Sequence, residues 1–287
     1  MELKLNGITK SYTKGKKRRN ALEDFTFTFN EGVYGLLGPN GAGKSTLINI
    51  IAGIIGRDSG DIGFQDGGSG DYISHLGFMP QGIDFYRNFT ALDYIKYIMT
   101  LKRYSPADPD GYATEILTKV NLQNDARKKI GAFSGGMKQR LGIAQAIVGE
   151  PRILIFDEPT AGLDAKERIR FRNVISSLGT DKIVLLATHI VTDIAYVAKT
   201  VILMDNGRII ETGPQEKLCD TVKGKVWECH VQNSEVMDYM GRLRVSNVHN
   251  NGTDYTLRII SEERPDENAV LCEPSLEDVC IYHFGDM

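Results

Sequence analysis

Nine consecutive residues, Gly38-Pro39-Asn40-Gly41-Ala42-Gly43-Lys44-Ser45-Thr46, fit the spacing G-x-x-x-x-G-K-[ST]. Each residue type has a chemical reason to stand where it does. A chain that wraps a phosphate must turn its backbone N–H groups inward, and glycine gives both the turn and the clearance. A helix beginning near Gly43 adds the positive end of its dipole. Lys44 can then reach the β- and γ-phosphates of a nucleotide, while the Ser45 hydroxyl ligates Mg2+. The motif sits between a short apolar run, Val33–Leu37, and the helix-periodic stretch Leu47–Ile55. That is the strand–loop–helix setting a phosphate cradle requires.

A second constellation ends another apolar run, where Ile153-Leu154-Ile155-Phe156 leads into Asp157-Glu158. Beside such a phosphate loop, an acid at a strand end holds Mg2+ through water, which assigns Asp157. Glu158 follows immediately and so points to a different side. There it can accept a proton from the water that attacks the γ-phosphate. Two acids before Pro159 also read as a simple strand end, and the phosphate loop decides for the chemistry. A third group, Ser134-Gly135-Gly136-Met137-Lys138-Gln139, precedes an amphipathic stretch and by itself reads as an N-cap with flexible neighbours.

The elements that must hold these residues are legible from periodicity. Leu3–Ile8 alternates, and Phe25, Phe27 and Phe29 fall at period two, so the chain begins with paired strands. Between them, Lys16-Lys17-Arg18-Arg19 reads as a solvated hairpin tip. Helical patterns cover Leu92–Leu101, Tyr112–Val120, Gly135–Val148, Lys166–Leu178 and Val191–Ala198. Apolar strands fall at Ile153–Phe156, Ile183–Ala187 and Val201–Met204, and their alternation with helices predicts a mostly parallel sheet covered on both faces. Past Gly213-Pro214, a helical Gln215–Val222 precedes strand-like Lys225–Val231, Leu243–Val248 and Tyr255–Ile260. From Ser261 onward Glu262, Glu263, Asp266, Glu267, Glu273, Glu277, Asp278 and Asp286 face only Arg264. Residues 223–287 are therefore expected to form a small α+β appendage with an acidic end.

Composition narrows the setting. The chain has 287 residues, with Lys+Arg 34 against Asp+Glu 37 and a net charge of −3, which argues against nucleic acid as a partner. No apolar run approaches the roughly 18 residues needed to cross a bilayer. MELKLNGITK lacks the apolar centre of a signal peptide, so a cytoplasmic location is expected. Cys219, Cys229, Cys272 and Cys280 contain no C-x-x-C pair and read as reduced thiols, without a zinc site or disulfide framework.

The order of phosphate loop, S-G-G before a helix, then an apolar run ending in D-E resembles an ABC transporter ATP-binding subunit, over roughly residues 1–220. That resemblance implies an α/β fold: a P-loop cassette over residues 1–222, with a mostly parallel core sheet, an antiparallel β subdomain and a helical subdomain at about 82–150. It also implies roles for smaller motifs. Tyr12 looks like the aromatic that stacks on adenine, and Gln81 like the Q-loop glutamine that touches Mg2+ or its water. Ala161-Gly162-Leu163-Asp164 is similar to the D-loop, and His189 to the switch histidine at the γ-phosphate. The implied catalytic set is Lys44, Gln81, Glu158 and His189; the Mg2+ set is Ser45, Gln81 and Asp157. ATP would be held by Tyr12, the loop Gly38–Thr46, and Ser134, Gly135, Gly136, Met137 and Asp164. Met137 stands where many members have Gln, and Phe133 where Leu is common; neither removes the serine hydroxyl or the backbone amides.

In this family the phosphate loop and S-G-G of one nucleotide site belong to different subunits of a head-to-tail pair. The resemblance thus implies a homodimer, or a heterodimer with a second cassette, joined by ATP and released on hydrolysis. It further implies a separate integral membrane permease, contacted near Gln81–Asp93 through Phe85, Tyr86, Phe89 and Leu92, and so a peripheral location on the inner face of the membrane. Pro274-Ser275-Leu276-Glu277-Asp278-Val279 resembles the ending of exporter-like bacterial ATPases, which favours export.

Two other classes carry the same motifs. DNA-repair cassettes place long coiled-coil or Cys-rich insertions before S-G-G, and the interval from Thr46 to Ser134 holds neither; translation-type members carry two cassettes per chain. Non-hydrolysing regulatory cassettes commonly lose the equivalent of Glu158 or His189, and both are present.

Overall fold

The protein is described here from a computed structural model covering residues 1–15, 17–65 and 71–285. β1 (Glu2–Lys14) and β2 (Lys17–Phe29) form an antiparallel pair in which Leu3 opposes Phe29, Leu5 opposes Phe27 and Tyr12 opposes Arg19. Leu3, Leu5, Ile8, Leu22, Phe25 and Phe29 are buried on its inner face. The pair runs further than the apolar alternation suggests. Lys16 of the expected tip lies outside the described residues, and Lys17, Arg18 and Arg19 belong to β2. Backbone pairing carries the ladder through this polar stretch, past register shifts near Ile8 and Lys10 that break the alternation.

β3 (Gly32–Leu37) is buried throughout and delivers the phosphate loop to α1 (Lys44–Ile51), which packs Leu47, Ile48, Ile50 and Ile51 inward. β4 (Ser59–Gln65) returns to β1, with Leu5 opposite Ile62, and completes a three-stranded sheet in the order β2-β1-β4. Then come β5 (Leu76–Met79), α2 (Ala91–Leu101), α3 (Pro109–Lys119), α4 (Gly135–Ile147) and β6 (Ile153–Asp157). They are followed by α5 (Ala165–Leu178), β7 (Ile183–Ala187), α6 (Val191–Val197), β8 (Thr200–Asp205), β9 (Arg208–Gly213) and α7 (Gln215–Asp220).

The main sheet has the order β5-β6-β7-β3-β8-β9, parallel except for the antiparallel edge strand β9. The fold is α/β. Its strands alternate between two cores: Ile153, Ile155, Ile183 and Leu185 face the three-stranded sheet and α1, whereas Leu154, Phe156, Val184 and Leu186 face the helices. That two-sided burial explains why the strands read as unbroken apolar runs. β4, β5 and β9 lacked such a signal, being short or half-exposed.

The remaining elements are β10 (Val226–Gln232), α8 (Val236–Arg242), β11 (Arg244–Asn250), β12 (Asp254–Ile260), β13 (Val270–Leu271) and α9 (Leu276–Phe284). Their strands make an antiparallel sheet, β11-β12-β10-β13, whose own small core holds Cys229, Val231, Leu257 and Ile259 beneath α8. α9 begins at a capping box between Ser275 and Asp278, and buries Leu276, Val279 and Cys280 in the core of the main sheet's helical face. Of the expected acidic end, Asp286 lies outside the described residues. Asp278 is not solvated but fully buried. It accepts hydrogen bonds from Arg258 Nε at 3.0 Å, Arg258 Nη2 at 2.8 Å, Ser246 Oγ at 2.6 Å and the Ser275 backbone N–H at 2.8 Å. All four cysteines are free, and no helix among the described residues is long and apolar enough to cross a membrane.

The Asp278 cluster yields a stability prediction. Burial pushes its carboxyl up, but the donors from Arg258, Ser246 and Ser275 outweigh that and hold it below its ordinary value. Its stabilisation is therefore present above the unfolded-state value of about 4 and is lost as pH falls through the lower folded value. Arg258→Ala strands a buried charge and should cost about 3 kcal/mol, read as a lower urea midpoint with early exposure of α9. An unchanged midpoint would show that the pair does not hold α9.

Candidate functional site

Strand order gathers the site. β3 lies beside β7, with Leu36 opposite Ala187, and β7 lies beside β6, with Asp157 opposite Ala187. The phosphate loop, the Asp157-Glu158 step and His189 therefore leave the sheet along one carboxyl edge, the usual ligand edge of such sheets. The loop itself depends on Gly43. Its φ is +104°, and a Cβ there would lie 2.4 Å from the Ala21 carbonyl oxygen, so only glycine fits. No side chain caps α1, and no acid stands in its first turn, which leaves the N–H groups there open to an anion.

Lys44 Nζ donates to the carbonyls of Gly38 at 2.5 Å and Pro39 at 3.1 Å, folding over the loop. Burial lowers its pKa, against the pull of Glu158 and Asp157. Asp157 is 8% exposed, and burial followed by repulsion from Glu158 raises its pKa, with Lys44 opposing. Two carboxylates thus stand near a single ammonium that is already bonded to backbone carbonyls. Such a negative excess suits a bound cation, and the oxygen donors of Asp157, Ser45 and Gln81 are the hard type that Mg2+ takes.

Glu158 is held more firmly than its neighbour. Its φ of +48° is costly for a residue with a Cβ, and its N–H donates to the Ala187 carbonyl at 2.8 Å. Its carboxylate accepts the Thr188 hydroxyl at 3.2 Å and the His189 backbone N–H at 3.1 Å. His189 Nδ1 lies 2.9 Å from Glu158 Oε2, so its proton is placed there and Nε2 is left free. Glu158 is thereby fixed to the end of β7 through its backbone, and to Thr188 and His189 just past that strand through its carboxylate.

A cleft of about 650 Å³ joins Tyr12, the loop Gly38–Thr46, Gln81, Glu158 and His189. Tyr12 is half exposed at its rim. Asp157 lies just behind the lining, while Ser134–Met137 and Asp164 stand outside it. Ser134 caps α4 by accepting from the Met137 N–H at 3.3 Å, and Asp164 caps α5 by accepting from the Glu167 N–H at 2.8 Å. In the stretch after Gln81, Phe85 packs on Tyr94 and Phe89 on Tyr97, while Tyr86 stays exposed.

Sequence reasoning missed Arg19. Opposite Tyr12 in the hairpin, it lines the cleft, its Nη2 3.4 Å from the Gly41 carbonyl oxygen. The signal was register: Tyr12 and Arg19 are directly opposite in the antiparallel pair, which sets them on one face.

The chain is similar to known proteins in sequence and in structure. The family model described as ABC transporter matches residues 22–161. An uncharacterised ABC transporter ATP-binding protein of Bacillus subtilis (strain 168), YxlF, is 35% identical over 217 residues, covering 75% of this chain and 72% of that one. The linearmycin resistance ATP-binding protein LnrL of the same organism is 33% identical over 233 residues, covering 77% and 72% respectively. Among solved structures, a dimeric post-hydrolysis state of an ATP-binding cassette bound to ADP and Pi superposes with a TM-score of 0.66 at 25% identity, covering 74% of this chain and 98% of that one.

Arg19 supplies a direct test of the cleft. Arg19→Ala should weaken binding of a fluorescent ATP analogue about fivefold, roughly 1 kcal/mol, and flatten its salt dependence. Equal affinity at low salt would place the guanidinium outside the nucleotide's reach.

Proposed function

Because the chain belongs to the ABC transporter family and is one of its ATP-binding cassettes, we propose that it powers export of a substrate through a separate membrane permease, by ATP-driven head-to-tail pairing of two cassettes. The observation that carries this reading is the division of the motifs. Tyr12, the phosphate loop, Gln81, Glu158 and His189 share one cleft, while Ser134–Met137 presents its helix end elsewhere on the same chain. Half a nucleotide site in each of two places is what reciprocal pairing of two chains completes.

In this reading residues 1–222 form the cassette, with a helical subdomain at about 82–150, and residues 223–287 an accessory unit. Tyr12 stacks on the base, and Lys44 and the loop amides hold the β- and γ-phosphates. Ser45, Gln81 and Asp157 would hold Mg2+, which when bound supplies charge neutralisation at the phosphates. Glu158 accepts a proton from the attacking water, and the fixed contact with His189 Nδ1 turns Nε2 toward the γ-phosphate. Ser134, Gly135, Gly136 and Met137 of the partner cassette close over the same phosphate, with Asp164 beside them. Loss of the γ-phosphate then removes the charge that both helix ends share.

Export is supported by the relative named for linearmycin resistance and by Pro274–Val279. The permease contact would lie near Gln81–Asp93, the stretch in which Tyr86 is exposed five residues after the cleft glutamine. The chain would then sit on the inner face of the membrane through that partner.

Glu158→Gln should lower turnover by at least about 100-fold yet leave an ATP-bound dimer on gel filtration. Normal hydrolysis by this variant would remove the general-base assignment. Co-expressed with its permease, the chain should shift to the membrane fraction; a distribution that ignores the permease would favour a non-transport cassette.

A further inference from the structure

One acid next to the S-G-G helix is used by none of the roles above. Glu167 lies in the first turn of α5, three residues after the Asp164 cap that accepts from its N–H. Its carboxylate packs directly on the start of α4: a Cβ on Gly136 would lie 2.9 Å from Glu167 Cγ and 3.1 Å from Oε2. Oε2 is 3.1 Å from Arg140 Nε on α4, and Oε1 accepts from Arg170 Nη1 at 2.7 Å. Arg140 in turn donates from Nη1 to the Asn121 carbonyl at 2.6 Å, just past α3. The Glu167 and Arg140 side chains are 16% and 12% exposed, so water screens the pair little.

A lone carboxylate beside the open N–H groups of Gly135 and Gly136 would compete with any phosphate arriving there. Two arginines cancel that charge while the contact remains, and the same contact fixes α4 against α5. Gly136 is the residue that lets the two approach so closely.

We propose that Glu167 is a positioning residue: through Arg140 and Gly136 it locks the S-G-G helix end to the Asp164-capped start of α5, so that both meet a partner's nucleotide as one rigid unit. This rests on the head-to-tail reading. Because α4 and α5 touch within one chain, the lock itself exists in the monomer and is measurable there.

The experiment uses the full chain carrying Glu167→Gln, Glu167→Ala or Glu167→Asp, with and without Glu158→Gln. Amide exchange over residues 135–142 of the monomer should quicken about tenfold in the Gln and Ala variants, and less in the Asp variant. Affinity of the monomer for a fluorescent ATP analogue should stay within about twofold. In the Glu158→Gln background the ATP concentration for half-maximal association should rise about tenfold. Unchanged exchange in Glu167→Ala overturns the lock, whatever the dimer does. Weakened nucleotide binding by the monomer also overturns it, since the effect would then pass through the phosphate loop or general stability. If the Glu167 parent carrying Glu158→Gln fails to associate with ATP, the head-to-tail reading fails by itself, and the exchange result still decides the lock.

Discussion

The position of β3 between β7 and β8 is the constraint on which the site depends. A strand that follows a hairpin in sequence is inserted into the centre of a sheet built largely from later residues. Three carboxyl ends, those of β3, β7 and β6, then lie next to one another, and each contributes one chemical function. The phosphate loop follows β3, His189 follows β7, and the Asp157-Glu158 pair ends β6. Parallel hydrogen bonding fixes their relative height, so no loop has to search for its partner.

At that edge the electrostatics are deliberately unbalanced. Asp157 and Glu158 both attract Lys44, and burial works against the charge on both Asp157 and Lys44. Glu158 escapes the isolation of Asp157 because Thr188 and His189 donate to it. Adjacent acids of identical charge thus acquire different capacities: Asp157 gains by meeting a cation, whereas Glu158 is already oriented. The left-handed backbone at Glu158 is the distortion that separates them.

Much of this was legible in the sequence because the signals were local. A glycine spacing, an apolar strand ending in acids, and Ser134 before a helical period each fit within a dozen residues, and all the cassette helices expected from periodicity are present within a few residues of their limits. Features set by pairing were less legible. Arg19 joined the cleft only through its register with Tyr12, in a polar stretch without alternation. β4 and β9 have one face in water, and β5 is too short to announce itself. α9 and its buried Asp278 read as a charged end because the partners, Arg258 and Ser246, come from separate strands. An acid's burial is decided by who meets it, and sequence spacing over 20 residues or more carries little of that.

The seating of α9 bears on the order in which the molecule can be made. Leu276, Val279 and Cys280 complete the same core that holds Leu218, Val222 and the helical face of the main sheet. On the ribosome, where chains fold from the N-terminus onward, the cassette emerges with that part of its core uncovered. The nascent molecule therefore has a sticky interval that ends only when residues 276–284 arrive and Asp278 finds Arg258. Because Asp278 bonds Ser246 of β11 and Arg258 of β12, the helix that closes the main core is also tied to the sheet of β10–β13.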